Sequence, residues 1–189
     1  MSNKTHYFLA VRIPDSTKQV LYQAIENIKK DFPFQRWVHI EDYHITLAFL
    51  GFATNNQLTE INNLVKKQLE NEKTFSLSIS HLGTFGTASS PRIFWAGLEN
   101  SPSLQQLREK VYTTCIQAGF QLEKRPFSPH ITLARKWDSD EGFHSDQLEK
   151  QNPFHENLLS FHTAEVVLYK TNLLQTPKYE NLITFSLQS

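Results

Sequence analysis

The sequence predicts an α+β fold with a mainly antiparallel sheet, built as two similar lobes. Two observations predict the class. Amphipathic helical stretches and strand-like stretches are mixed, without a regular parallel βαβ rhythm, and no glycine-rich phosphate loop links a strand to a helix. A third predicts the lobes. His44-Ile45-Thr46-Leu47-Ala48 returns, from position 44 to position 130, as His130-Ile131-Thr132-Leu133-Ala134. Internal self-similarity of this kind marks a duplicated unit. A chain of 189 residues fits one bilobal domain over residues 1–189.

The first strand is expected at His6 to Ile13, rich in aromatic and β-branched residues. Pro14-Asp15-Ser16 ends it and offers a helix cap. From Thr17 to Lys30, Val20, Leu21, Ala24, Ile25 and Ile28 form the apolar stripe of a helix. Strands follow at Arg36 to Ile40 and at His44 to Leu50. A second helix is expected at Asn56 to Glu70, with Leu58, Ile61, Leu64, Val65 and Leu69 inward. Phe75 to His81 alternates apolar and polar, as a sheet with one wet face does, and Ile93 to Gly97 is a further strand. The third helix, Pro102 to Ala118, has Ser101 as cap, Pro102 at its first position and Gly119 beyond its end. His130 to Arg135, Glu165 to Thr171 and Leu182 to Leu187 complete the strands. Lys136 to Asn157 is polar and reads as a loop with one short helix.

Composition narrows the function. Nineteen Lys and Arg balance nineteen Asp and Glu. A neutral chain lacks the broad basic surface needed to grip a long duplex, but recognition of one phosphate or a strand end remains open. The single cysteine, Cys115, excludes an intrachain disulfide and cysteine-rich zinc sites. The apolar run Tyr7 to Val11 is cut short by Arg12 and Pro14, so neither a signal peptide nor a membrane span is expected. A cytoplasmic monomer without cofactor or metal is the default expectation.

The repeat carries the chemistry. Strand side chains alternate, so His44 and Thr46 project together while Ile45 and Leu47 project to the other face, and His130 and Thr132 do the same. If an approximate two-fold relates the lobes, the two His/Thr faces meet across a groove. One imidazole can take a proton from water and another can give one to a leaving oxygen. Two hydroxyls can hold the non-bridging oxygens of a phosphoryl group. No carboxylate lies in either motif, which suits phosphodiester chemistry without a metal. A lone H-x-T in a strand is most often structural, but a pair with shared context is not explained by packing.

At these residues the chain resembles the 2H phosphoesterase superfamily, named for two H-x-[ST]-x motifs. Within it the chain looks like the RNA 2′,3′-cyclic phosphodiesterase family, also called 2′-5′ RNA ligase or LigT-like proteins. Phe8 to Val11 with Pro14, Arg36 to Val38, His44 to Leu47 with Phe49 to Gly51, Pro91 to Gly97 and Arg125 to Arg135 carry the likeness. Val167 to Tyr169 and Tyr179 echo the closing hairpin; Thr171 stands where serine is more usual. The resemblance implies a bilobal LigT-like fold, with the sheets lining a central cleft and the helices outside, and hydrolysis of a terminal 2′,3′-cyclic phosphate to a 2′-phosphate, catalysed by His44 and His130. It leans to His130 activating water and His44 protonating the leaving oxygen, with RNA ends or nucleotides bearing the cyclic phosphate as partners. A 2′-5′ RNA ligase using the same site, and a nucleotide-binding module without turnover, are the rival readings.

Thr46, Thr132 and Arg135 are the candidate phosphate ligands. Arg135 lies five residues after His130, so strict alternation would turn it away from the site unless a bulge or strand end intervenes. Arg92 is a weaker candidate. Tyr43, Phe49 and Phe127 are candidates to stack on an unpaired base, set against ordinary core packing. His39, Asp42 and His44 lack a third defined partner for a metal. Cys115 reads as a buried, inert thiol.

Overall fold

The computed structural model describes residues 5–189. Strand β1 (Tyr7–Arg12) leads into helix α1 (Asp15–Ile28), whose N-cap is Pro14 without a side-chain cap, with Asp15 in the first turn. Short β2 (Phe34–Trp37) precedes β3 (His44–Gly51) and α2 (Asn55–Leu69). Helix α2 starts one residue before the apolar pattern does, because Thr54 and Gln57 form a reciprocal capping box. The hairpin β4 (Phe75–Thr87) and β5 (Ser90–Leu98) is followed by α3 (Pro102–Gln117), capped by Ser101 and closed by Gly119 at φ +83°. Then come β6 (His130–Trp137), the short helix α4 (Ser145–Lys150), β7 (Leu159–Thr163), β8 (Glu165–Thr171) and β9 (Tyr179–Ser186).

Several elements differ from expectation. Strand β2 lies at Phe34–Trp37 rather than Arg36 to Ile40, because Ile40–Asp42 forms a short 3-10 turn, and β9 begins at Tyr179 rather than Leu182, because Tyr179 pairs with Thr171. Strand β4 runs six residues beyond His81, because Leu82 to Thr87 pair with β5 despite Gly83 and Gly86 breaking the alternation. Strand β7 has too short an apolar pattern to stand out and forms by pairing with β4. The polar segment before it is pinned by buried Phe143, Leu148 and Phe154, and Phe143 stands edge-on to Trp137 at 5.2 Å.

The nine strands form one sheet in the order β7-β4-β5-β6-β3-β1-β8-β9, with β2 pairing β6. Its centre is the junction of β3 and β6, where a single antiparallel pair, Ile45 with Ile131, joins the halves. These are equivalent positions of the two pentapeptides, so the local two-fold passes between them. Antiparallel register then sets His44 beside Thr132 and Thr46 beside His130. About that axis β1 corresponds to β5, β8 to β4, and β9 to β7.

The faces separate cleanly. Ile45, Leu47, Ile131 and Leu133 are buried in the main core with Ile25 of α1, Ile61 and Val65 of α2, and Leu104 and Leu107 of α3. Leu9 and Val11 of β1 join them. Phe8 and Ala10 point to the other side, where they form a second small cluster with Val167, Tyr169 and Tyr179. His44, Thr46, His130 and Thr132 lie on that cleft side, half-buried.

Both motif strands carry a bulge at the same place. Leu9 and Ala10 of β1 oppose Ala48 and Thr46, which leaves Leu47 extra. Phe94 and Trp95 of β5 oppose Ala134 and Thr132, which leaves Leu133 extra. The extra residue puts two consecutive side chains, Leu47-Ala48 and Leu133-Ala134, into the core. The next residues, Phe49 and Arg135, therefore emerge on the exposed side instead of the buried one.

Candidate active site

Each motif histidine is held the same way. The Nδ1 of His44 donates to the Asp42 carbonyl at 2.7 Å, and the Nδ1 of His130 donates to the Ser128 carbonyl at 2.7 Å. In both the acceptor lies two residues upstream, on the segment entering the strand. A carbonyl can only accept, so Nδ1 carries the proton and Nε2 is left to exchange protons. The His44 Nε2 lies 3.1 Å from Thr46 Oγ1.

Both imidazoles line one small pocket of about 190 Å³, shared with Thr46, Thr132, Arg135, Thr171 and Tyr179. Aromatic rings pack each imidazole. His44 lies 4.8 Å from Phe8 and edge-on to Tyr179 at 5.1 Å. His130 stands edge-on to Phe85 at 4.9 Å, with Trp95 at 6.2 Å. Trp95 can lie there only because position 83 is glycine: a Cβ would stand 2.3 Å from the indole.

Burial among these rings lowers the proton affinity of both histidines. His44 is pushed down to about 4, mainly by burial and further by the nearby charges of His130, Arg135 and Lys18, against the Asp42 carbonyl, which raises it. His130 is lowered by burial and by Arg135, against the Ser128 carbonyl. Both rings are therefore held toward the neutral form near pH 7. The set offers two imidazoles, four hydroxyls and one guanidinium, and no carboxylate lines the pocket except that of Asp42.

The Asp42 carboxylate is already engaged. It is buried and accepts the backbone N–H of Lys178 at 3.0 Å and of Tyr179 at 3.1 Å. It thereby fastens the β8–β9 hairpin, and with it Thr171 and Tyr179, to the strand that carries His44. Burial pushes the Tyr179 hydroxyl above its ordinary value, against the neighbouring Arg135 guanidinium, which lowers it.

The family model described as the 2′-5′ RNA ligase superfamily matches residues 14–172. The chain belongs to that superfamily. Among superfamily relatives, the RNA 2′,3′-cyclic phosphodiesterase of Geobacillus stearothermophilus is 40% identical over 184 residues; the match takes in 97% of this chain and 58% of that one. The chain thus spans little more than half of that relative's length. The RNA 2′,3′-cyclic phosphodiesterase of Bacillus subtilis (strain 168) is 36% identical over 97% of both chains. Escherichia coli LigT, in a crystal structure complexed with 3′-AMP, superposes with a TM-score of 0.79 at 24% identity, covering 98% of this chain and 99% of that one. These likenesses bear out the α+β LigT-like fold expected of a 2H phosphoesterase.

Of the residues singled out from the sequence, His44, Thr46, His130, Thr132 and Arg135 come together in the pocket. Phe49 stands at its rim, 54% exposed. Phe127 is half-buried in an adjoining groove, against Arg108. Tyr43 requires a correction. It is only 2% exposed and packs in the core, since the turn at Ile40–Asp42 directs it inward, so it cannot stack on a base. The His39 ring accepts the Glu41 N–H at 3.2 Å, and among the described residues no group of three His, Cys, Asp or Glu is arranged to hold a metal. Asp42, Phe8, Phe85 and Trp95 join the site without being expected there. Phe8 had a signal: it alternates with Leu9 and Val11, so it faces the histidine side. The role of Asp42 depends on a hydrogen bond to a residue 136 positions away and had none.

Proposed function

We propose that the chain hydrolyses a terminal RNA 2′,3′-cyclic phosphate to a 2′-phosphate by acid–base catalysis between two histidines, with no metal. The observation that carries this is the matched anchoring of His44 and His130, which leaves two Nε2 atoms facing one phosphate-sized pocket. The names of the relatives support the reaction class.

The protons balance. The Nε2 of His130 takes a proton from water as the water oxygen attacks phosphorus. The bond from phosphorus to O3′ breaks in line. The Nε2 of His44, protonated in the bound state, gives its proton to O3′. Burial favours the neutral form of both rings, and the anionic cyclic phosphate favours the charged form of one of them. Thr46, Thr132 and Arg135 hold the non-bridging oxygens as charge builds. In this reading the two lobes work as one domain around one cleft, in a cytoplasmic monomer. No helix among the described residues is long and apolar enough to cross a membrane.

The test is product analysis on a short RNA ending in a 2′,3′-cyclic phosphate, in excess chelator. A 2′-phosphate end is expected. A 3′-phosphate, or no conversion while metal-supplemented protein is active, would overturn the reading.

A further inference from the structure

The pocket that holds both histidines is small. At about 190 Å³ it accommodates a phosphate and part of a ribose, below the usual range for ligand sites. It opens into a second groove of about 590 Å³, and the two share Thr46, Phe49, Ile93 and His130 as walls. The cavities beside α2 and β9, and beside α4, share no wall with the pocket. Whatever extends from the bound phosphate has this groove as its adjoining space.

The groove is basic and aromatic although the chain as a whole is neutral. Arg92, Arg108 and Arg125 line it against one carboxylate, Glu123, which pairs with Arg125. Arg108 is the unusual member. Its side chain is 16% exposed and its guanidinium lies 3.9 Å from the Tyr112 ring and 5.4 Å from the Phe127 ring. Among the described residues its only ion pair is a long one, 3.4 Å to Glu109, and its Nε is buried without a hydrogen-bond partner. As a wall of the groove, Arg108 offers a cation held in place by the Tyr112 ring, with which an anion in the groove can pair. Phe49 and Phe127 supply faces on which unpaired bases can stack.

We propose that this groove binds the single RNA strand on the 5′ side of the terminal cyclic phosphate, with Arg108 and Arg125 taking a preceding backbone phosphate and the aromatic rings a base. The inference rests on the cyclic phosphodiesterase reading. A terminal cyclic phosphate occupies both O2′ and O3′, so the strand can leave only through O5′. The groove therefore makes the enzyme one for strand ends rather than mononucleotides.

Two substrates test it: a nucleoside 2′,3′-cyclic monophosphate, and a short oligonucleotide with the same end. The unaltered chain is expected to show at least a tenfold higher kcat/KM on the oligonucleotide. Arg125→Glu, on an exposed side chain, and Arg108→Gln are each expected to lower that value at least tenfold through KM, leaving the mononucleotide within twofold. The logarithmic salt slope for the oligonucleotide should become shallower by about 0.7 for each phosphate that is no longer neutralised. Equal losses on both substrates, or none on the oligonucleotide, would overturn the proposal. Binding of an oligonucleotide ending in a 2′-phosphate, read by fluorescence anisotropy, separates the two readings. If no substrate turns over but both variants weaken binding tenfold, the groove stands and the catalytic reading falls. If binding is unchanged by both variants, the groove falls.

Discussion

At the scale of single residues, the chemistry turns on where protons sit. A histidine held down to about 4 by burial carries little proton to give near pH 7. Phosphate in the pocket should reverse this, because a nearby anion stabilises the imidazolium. NMR titration of the His44 ring should therefore move upward by at least one pH unit when inorganic phosphate is added. An unmoved midpoint would mean that the anion binds elsewhere. The kcat/KM profile should be bell-shaped, one limb for each member of the pair.

The same depression links stability to pH. Unfolded, His44 takes up a proton near pH 6.5, whereas folded it resists protonation until about 4. Over that window the unfolded chain binds more protons, so stability falls as pH falls from about 6.5 towards 4. Thermal unfolding at pH 5 and pH 7.5 should show this loss, and His44→Gln should reduce it. Arg135 belongs to this scale too. Lysine keeps the charge but not the forked geometry, so Arg135→Lys should lower kcat/KM by about tenfold, and by more in Arg135→Ala.

At the scale of elements, the paired bulges are decisive. Phe49 and Arg135 stand at equivalent positions, and each reaches the cleft side because a leucine is left unpaired before it. The repeat is plain in the sequence, but the bulges are not. They are set by how β1 and β5 pair with the motif strands, which no local pattern records. This also explains what else can be read from sequence. The three long helices announce themselves through periodicity and, for α3, through its caps. Strand β7 and the second half of β4 owe their form to partners far along the chain. Tyr43 departs from expectation for a similar reason, since only the short turn at Ile40–Asp42 sends it into the core. Bulges placed alike in both lobes make the site symmetric in backbone, while Phe49 and Arg135 make it asymmetric in chemistry.

Asp42 ties two elements together. Asp42→Asn keeps one acceptor oxygen but sets an amide against backbone donors. Hydrogen bonds to a charged group contribute about 1.5–3 kcal/mol, so a loss of that order is expected in chemical denaturation. The displaced hairpin should also lower kcat. Unchanged stability would mean that the carboxylate is not what fastens the hairpin.

At the scale of the whole molecule, one antiparallel pair, Ile45 with Ile131, joins the two halves of the sheet. The repeated motif thereby sets two alike-anchored imidazoles in the wall of one pocket, and in the proposed reaction one is base and the other acid. Truncating this joint should disturb both halves. Ile45→Ala is expected to cost about 2–5 kcal/mol, as deletion of buried aliphatic groups generally does, with activity lost in parallel on heating.

The central claim, that both histidines serve one phosphorus, is tested most directly by single-turnover rates of His44→Ala and His130→Ala on a nucleoside 2′,3′-cyclic monophosphate in excess chelator. General acid–base catalysis supplies roughly 10²–10⁴-fold, so each variant should slow by at least about a hundredfold while its thermal midpoint at pH 7.5 stays near that of the unaltered chain. Either variant turning over at the unaltered rate would contradict the claim.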